Sequence, residues 1–308
     1  MRARRKSTLP RWLRSPSSMR IIAIVAVLGL IAAVAALYRW ERARLMRLAY
    51  QQRLVLLTFP EGFNRFDISE RLEHFGVCRG SDFLAATSDP QLLAQLSIAA
   101  PTAEGYLFPD TYEFLKHSPT SAVVQRLTER WKSRVPPIFG QHQAQMLALQ
   151  SELNWRSHDV ITLASIVEKE TTRPEERPII AGVFLNRMRS DHFKPKFLQA
   201  DPTLSYGCLV APQAAASCRD FDKTHLGRAQ RMDHHNPYNT YHMEGLPPGP
   251  IANPGLDAIR AVLQPATHDY YYFVAKGDGS HHFSHSFEEH RRAIARYLKT
   301  TRSKAPPP

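Results

Sequence analysis

The chain of 308 residues, 43% hydrophobic, is long enough for one large domain or two modest ones with an ample core. Its net charge of +12 is unevenly placed, with seven bases and no acid in residues 1–20. The +5 left on the rest forms no dense basic stripe with interleaved aromatics, which argues against a nucleic-acid-binding class.

Ile21 to Tyr38 (IIAIVAVLGLIAAVAALY) runs for eighteen residues without a charge, closed by Arg20 and Arg39. That is enough to cross a bilayer core. A cleaved signal peptide is the rival, with Ala32, Ala33, Ala35 and Ala36 as small residues near its end. The apolar run exceeds the usual ~7–15-residue core of such a signal, so an uncleaved anchor is the better reading. The bases ahead of it keep residues 1–20 cytoplasmic and send everything after Arg39 outward. The expectation is a single-pass membrane protein that touches the bilayer through residues 21–38 and carries its remaining domain outside the cytoplasm.

Residues 39–53 read as a basic, helix-prone linker. A strand over Leu54–Phe59, a turn at Pro60-Glu-Gly62 and a helix over Asp67–Phe75 make a small β-turn-α unit. Short helices at Asp82–Ala86 and Pro90–Leu96 extend that unit over 54–100. Glu104 to Phe114 is aromatic and turn-forming, with Glu104 and Asp110 read as stabilising. Helices are expected over Thr120–Val135, over Gln141–Leu153 and then up to Glu170, with another after Pro174 to about Arg189. Lys194 to Pro254, rich in Pro, Gly, Tyr and Asn, reads as a functional loop. A short helix to Leu263 follows, then a strand over Tyr270–Ala275, a tight turn and a return strand over His281–His285. Ser286 and Glu289 form a capping box for a last helix to about Lys299, before a disordered tail over 300–308. Cys208 and Cys218 lie ten positions apart, close enough in sequence to staple that loop in an oxidising compartment, while Cys78 reads as a small buried hydrophobe.

The chemistry concentrates at Leu163-Ala-Ser-Ile-Val-Glu-Lys-Glu170. Val160, Leu163, Ala164, Ile166 and Val167 recur at helical spacing, and Glu168 and Glu170 fall on opposite shoulders of that apolar stripe. A partly desolvated carboxyl at a helix C-terminus favours its protonated form, as a general acid requires. The helical wheel does not choose between the two.

The order of motifs is specific: EGYLFPDTY at 104–112, ASIVEKE at 164–170, FLNRM at 184–188, LQADPTLSYG at 198–207, YNTY at 238–241, GLPPGPIANPG at 245–255 and YYFVA at 271–275. This series resembles the MltG (YceG-like) family of membrane-anchored endolytic murein transglycosylases, over roughly residues 54–298. The resemblance implies an α+β fold, with a partial LysM-like unit over 54–100 and a mixed α+β lytic transglycosylase domain over 101–299. It also implies cleavage of the bond between N-acetylmuramic acid and N-acetylglucosamine inside peptidoglycan glycan strands, without cofactor or metal. By resemblance Glu170 is the catalytic acid and base, and Glu168 its structural or like-charged neighbour. Substrate contacts are expected from Glu168, Asn186, Arg187, Gln199, Asp201, Tyr206, Tyr238, Asn239, Thr240 and Tyr241. Peptidoglycan synthases are partners by analogy. The Cys208–Cys218 segment departs from the family pattern.

Three other readings compete. A zinc enzyme is suggested by His234-His235 and His281-His282, but no His-Glu-x-x-His occurs and alternate strand residues face apart. A membrane-tethered glycan-binding scaffold would use the same cleft without cutting. A hydrolytic muramidase would need a second carboxylate, from Asp201 or Asp110.

Overall fold

The structure of the protein, a computed structural model, describes residues 16–219, 221 and 226–302. Most of the expected basic tail, and residues 303–308 of the expected C-terminal tail, lie outside the described residues. Two compact units are present, one through Leu54 and one from Val55 onward. Among the described residues the first consists almost wholly of one helix, α1 (Pro16–Arg53), so the linker expected over 39–53 is a continuation of the same helix. Its 38 residues span about 57 Å at 1.5 Å per residue, against a hydrocarbon core of about 30 Å. Met19–Leu48 is apolar enough to cross a membrane, and its large apolar side chains are exposed.

The second unit begins with β1 (Leu54–Thr58), α2 (Arg65–His74), α3 (Gly80–Ala86), α4 (Pro90–Gln95), β2 (Thr111–Leu115) and α5 (Thr120–Arg134). Asn64 starts α2 reciprocally: its Oδ1 accepts from the amides of Phe66 and Asp67 at 2.9 Å, and the Asp67 carboxylate accepts from the Asn64 amide at 3.1 Å. The segment expected as an aromatic turn contains β2, which pairs with β1. Its alternation is visible in hindsight, with Tyr112 and Phe114 inward and Thr111 and Glu113 outward. Leu57, Phe59, Ile68, Leu72, Phe83, Tyr112 and Leu127 share one apolar cluster, which therefore extends through α5. Cys78 packs half-buried against it, and burial with nearby Asp82 and Glu73 pushes its thiol up to about 11.

A larger cluster is built around α8 (Ser157–Glu170), preceded by α6 (Pro136–Gln141) and α7 (Gln143–Leu153). A 3-10 turn at Pro174–Glu176 leads into α9 (Arg177–Arg189), which packs on α8 together with α12 (Leu256–Leu263). Every residue of α8 from Val160 to Val167 is buried. A helix enclosed on all sides must satisfy its polar members internally, and Ser165 does so: its hydroxyl donates to Thr162 O at 2.7 Å and accepts from the Ile251 amide at 3.0 Å.

The stretch expected as loop from Lys194 to Pro254 holds α10 (Asp201–Val210) and the short α11 (Arg228–Met232). Proline in the first turn does not break α10, because an amide there has no intrahelical partner to lose. Cys208, at the end of α10, is disulfide-bonded to Cys218, with Cα atoms 5.0 Å apart. The hairpin of β3 (Tyr272–Ala275) and β4 (His281–Ser284) is antiparallel, pairing Tyr272 with Ser284 and Ala275 with His281. Its turn uses Gly277 and Gly279 at φ of 87° and 81°. The last helix, α13 (Phe287–Arg302), runs beyond the expected Lys299.

Candidate active site

Glu170 is the final residue of α8 and forms part of the wall of a cavity of about 510 Å³. The next residue is extended and anchored. Thr171 Oγ1 donates to Glu176 Oε2 at 3.3 Å, and Glu176 also accepts from the His281 amide at 2.9 Å and lies 2.6 Å from its Nδ1. That network ties the end of α8 to β4 and fixes where Glu170 leaves the helix. Among the described residues the Glu170 carboxyl has no hydrogen-bond partner. Burial, reinforced by the Asp201 charge and opposed by Arg187, pushes it up to about 8. At neutral pH it holds a proton that no neighbour shares.

Arg187, on α9, faces the same cavity. It is 5% exposed, donates from Nε to Tyr271 O at 2.7 Å and from Nη1 to Leu198 O, and lies over the rings of Phe193 and Tyr272 at 5.3 and 5.5 Å. Burial lowers it to about 10, so it stays cationic at neutral pH. Asp201, at the start of α10, is clamped by Arg231, with Nε to Oδ1 at 3.0 Å and Nη2 to Oδ2 at 2.6 Å, and accepts from the Tyr241 hydroxyl at 2.7 Å. Three donated hydrogen bonds fix its orientation in the wall. Gln199, at φ of +54°, and Tyr241 complete this wall.

The sequence profile of the YceG-like family matches residues 35–296. The chain belongs to that family. It is 33% identical over 204 residues to the endolytic murein transglycosylase of Bacillus subtilis strain 168, which covers 65% of this chain and 49% of that protein. It is 27% identical over 271 residues to the endolytic murein transglycosylase of Streptococcus pneumoniae serotype 2, covering 80% of this chain and 45% of that one. The chain thus spans about half the length of these relatives. A crystal structure of a YceG-like protein from Listeria monocytogenes superposes with a TM-score of 0.62 at 28% identity, covering 77% of this chain and 75% of the other.

In this YceG-like chain Glu170, Arg187, Gln199, Asp201 and Tyr241 meet at one cavity, and the remaining expected contacts are placed elsewhere. Glu168 accepts from Arg177 at 2.6 Å and from the Gly255 amide at 3.1 Å, joining α8 to the starts of α9 and α12. Asn186 donates to the carbonyls of His268 and Tyr270 at 2.9 and 3.1 Å, tying α9 to the segment before β3. Tyr206 donates to buried Glu104 at 3.0 Å and packs edge-on against Tyr238. Asn239 donates to three carbonyls at the end of α11, and Thr240 Oγ1 accepts from the Ala200 amide at 3.0 Å. Those residues shape the loop that carries Tyr241. Glu104 is enclosed by the Arg65 amide, Tyr206 and Asn253, and burial raises it to about 7. Asp110 pairs with Arg130 at 2.6 Å and is absent from the cavity wall.

Sequence reasoning missed Phe193, Phe197, Tyr272 and His290, which also line the cavity. Tyr272 was visible within the YYFVA motif. His290 comes from α13, 120 positions after Glu170, and no local pattern marks it. Among the described residues, no group of three or more His, Cys, Asp or Glu side chains is arranged to hold a metal ion.

Proposed function

We propose that this chain is a membrane-anchored endolytic murein transglycosylase in which Glu170 serves as both acid and base. The observation that carries the reading is that the cavity offers one proton-bearing carboxyl, while its second carboxyl, Asp201, is clamped by Arg231 and Tyr241. Hydrolysis by the usual two-carboxylate route needs both groups available for covalent or proton-transfer work. Intramolecular cyclisation needs one. Glu170 donates its proton to the bridging oxygen, the bond from C1 of N-acetylmuramic acid to that oxygen breaks, and the N-acetylglucosamine part leaves as an alcohol. The Glu170 carboxylate then takes the proton of the muramyl 6-hydroxyl as its oxygen bonds to C1. A 1,6-anhydro end forms, no water is consumed and the acid is restored. The fixed Asp201 charge stabilises positive charge developing at C1.

Endolytic action requires room on both sides of the scissile bond. Asp201 belongs both to the Glu170 cavity and to a second hollow of about 290 Å³ lined by Lys169, Ser205 and Tyr206, which supports a through-running groove. The apolar part of α1 supports anchorage in the inner membrane, with the basic N-terminus cytoplasmic and the catalytic unit periplasmic. The unit bounded by β1 and β2 is read as a reduced LysM-like element, and peptidoglycan synthases are the proposed partners. Mass analysis of products from purified glycan strands tests this, comparing wild type, Glu170→Gln and Glu168→Gln. Anhydro ends lost in Glu170→Gln but retained by folded Glu168→Gln are expected. Reducing ends, or uncut strands bound by folded wild type, refute it.

A further inference from the structure

The aromatic residues of the Glu170 cavity take no part in the proton transfers, and one of them is set against its own chemistry: Phe287 lines the cavity yet is 63% exposed. It is the first residue of α13. Along that helix His290, Ala293, Ile294 and Tyr297 recur at helical spacing and are buried or half-buried, on a helix that packs against β3 and β4. Phe287 stands one turn before His290 on the same face, where that face opens on the cavity.

The start of the helix is fixed. The Glu289 amide donates to Ser286 Oγ at 3.2 Å, and Glu289 Oε2 accepts from the His285 amide at 3.0 Å. The Phe287 ring lies 5.9 Å from that of Tyr272 and is tilted to it by 57°, so the two make a corner rather than a closed stack. Tyr272 is held in turn by His290, stacked on it at 5.2 Å, and by the Arg187 guanidinium, 5.5 Å from its ring centre.

Another part of the wall is polar, formed by Gln199, Asp201 and Tyr241. An aromatic corner together with amide, carboxylate and hydroxyl groups suits a pyranose ring, whose axial C–H groups make an apolar face and whose substituents make a polar rim. A lone exposed phenylalanine is ordinary on a protein surface. One that extends an aromatic wall inside the cavity of a proton-bearing carboxyl leaves apolar area that a bound ring would remove from water.

We propose that Phe287 and Tyr272 form a stacking platform for one N-acetyl amino sugar ring of the glycan, and that Phe287 sets the affinity for that ring. The choice of ligand rests on the glycan-acting reading of the Glu170 cavity. The test uses the full chain carrying Glu170→Gln in detergent micelles, as a parent that binds without cutting. Titration calorimetry with an alternating N-acetylglucosamine and N-acetylmuramic acid tetrasaccharide compares this parent with the same chain carrying Phe287→Trp, Phe287→Leu or Phe287→Ala in addition.

Phe287→Trp keeps an aromatic face and should bind within about twofold of the parent, or tighter. Phe287→Leu keeps apolar bulk without that face and should bind about fivefold more weakly, and Phe287→Ala about tenfold more weakly. Melting temperatures should stay within about 2 °C of the parent, because the side chain is mostly exposed. Unchanged affinity in folded Phe287→Leu and Phe287→Ala, or Phe287→Trp binding no better than Phe287→Leu, overturns the platform. So does a loss of affinity matched by a loss of melting temperature, which would make Phe287 a packing residue. A folded parent that binds no tetrasaccharide refutes the glycan-acting reading and the platform with it, whereas a binding parent with an unresponsive Phe287 series refutes the platform alone.

Discussion

Replacing Glu170 by glutamine should stabilise the protein, by an amount that grows with pH. The carboxyl titrates at about 8 in the fold against an ordinary 4.5. Below the lower value both states are protonated and the group has no effect. Between the two, the unfolded chain ionises while the folded one does not, so the folded state binds more protons and loses stability as pH rises. Above about 8 the penalty is complete. At pH 7 the gap is about 2.5 pH units, or roughly 3 kcal/mol at 1.36 kcal/mol per unit. Contact of the carboxyl with cavity water screens this to about 1–3 kcal/mol. For a folded unit of this size, that is a melting-temperature gain of about 2–10 °C in Glu170→Gln. Thermal melts of both proteins from pH 4 to 9 in one detergent read it directly, because all other titrations cancel in the difference. Curves that stay parallel across the range would refute the buried, proton-bearing carboxyl.

Activity should fall as pH rises through about 8, where Glu170 loses its proton. Asp201→Asn removes the charge that helps hold that proton, so the basic limb of the rate profile should move to lower pH; an unmoved limb would separate the two carboxyls. Glu168→Gln leaves Arg177, 9% exposed at its side chain, with Glu61 at 3.6 Å as its one acidic partner among the described residues. Denaturant unfolding should show a loss of about 2–4 kcal/mol, while the folded fraction keeps its rate. Gly207→Ala places a methyl 1.8 Å from Asn236 Oδ1 inside α10, and should cost about 1–3 kcal/mol by the same assay.

Much of this was legible because α8 is unusual: eight consecutive buried residues leave an apolar signature that needs no tertiary information. Its two terminal carboxyls were visible for the same reason. What separates their environments was not, since it depends on Arg177 and Gly255 for Glu168, and on Asp201 and Arg187 for Glu170. Local composition misled at α10, where Pro202 and Gly207 suggested loop; Pro202 sits where a helix tolerates proline, and Gly207 where Asn236 leaves no room for a side chain. β2 was hidden because its partner, β1, lies more than fifty residues earlier. The loop polar residues were recognisable as a group, but amide and hydroxyl chemistry serves backbone bracing and sugar binding equally well. Only distances assign Asn239 and Thr240 to the first role and place Tyr241 at the cavity.

The central claim, that one carboxyl cuts a glycan without water, is tested most directly by digesting purified strands with the full chain in heavy-oxygen water. The account predicts anhydro-ended fragments carrying no solvent oxygen, and none at all from folded Glu170→Gln. Fragments with reducing ends that each carry one solvent oxygen would contradict it.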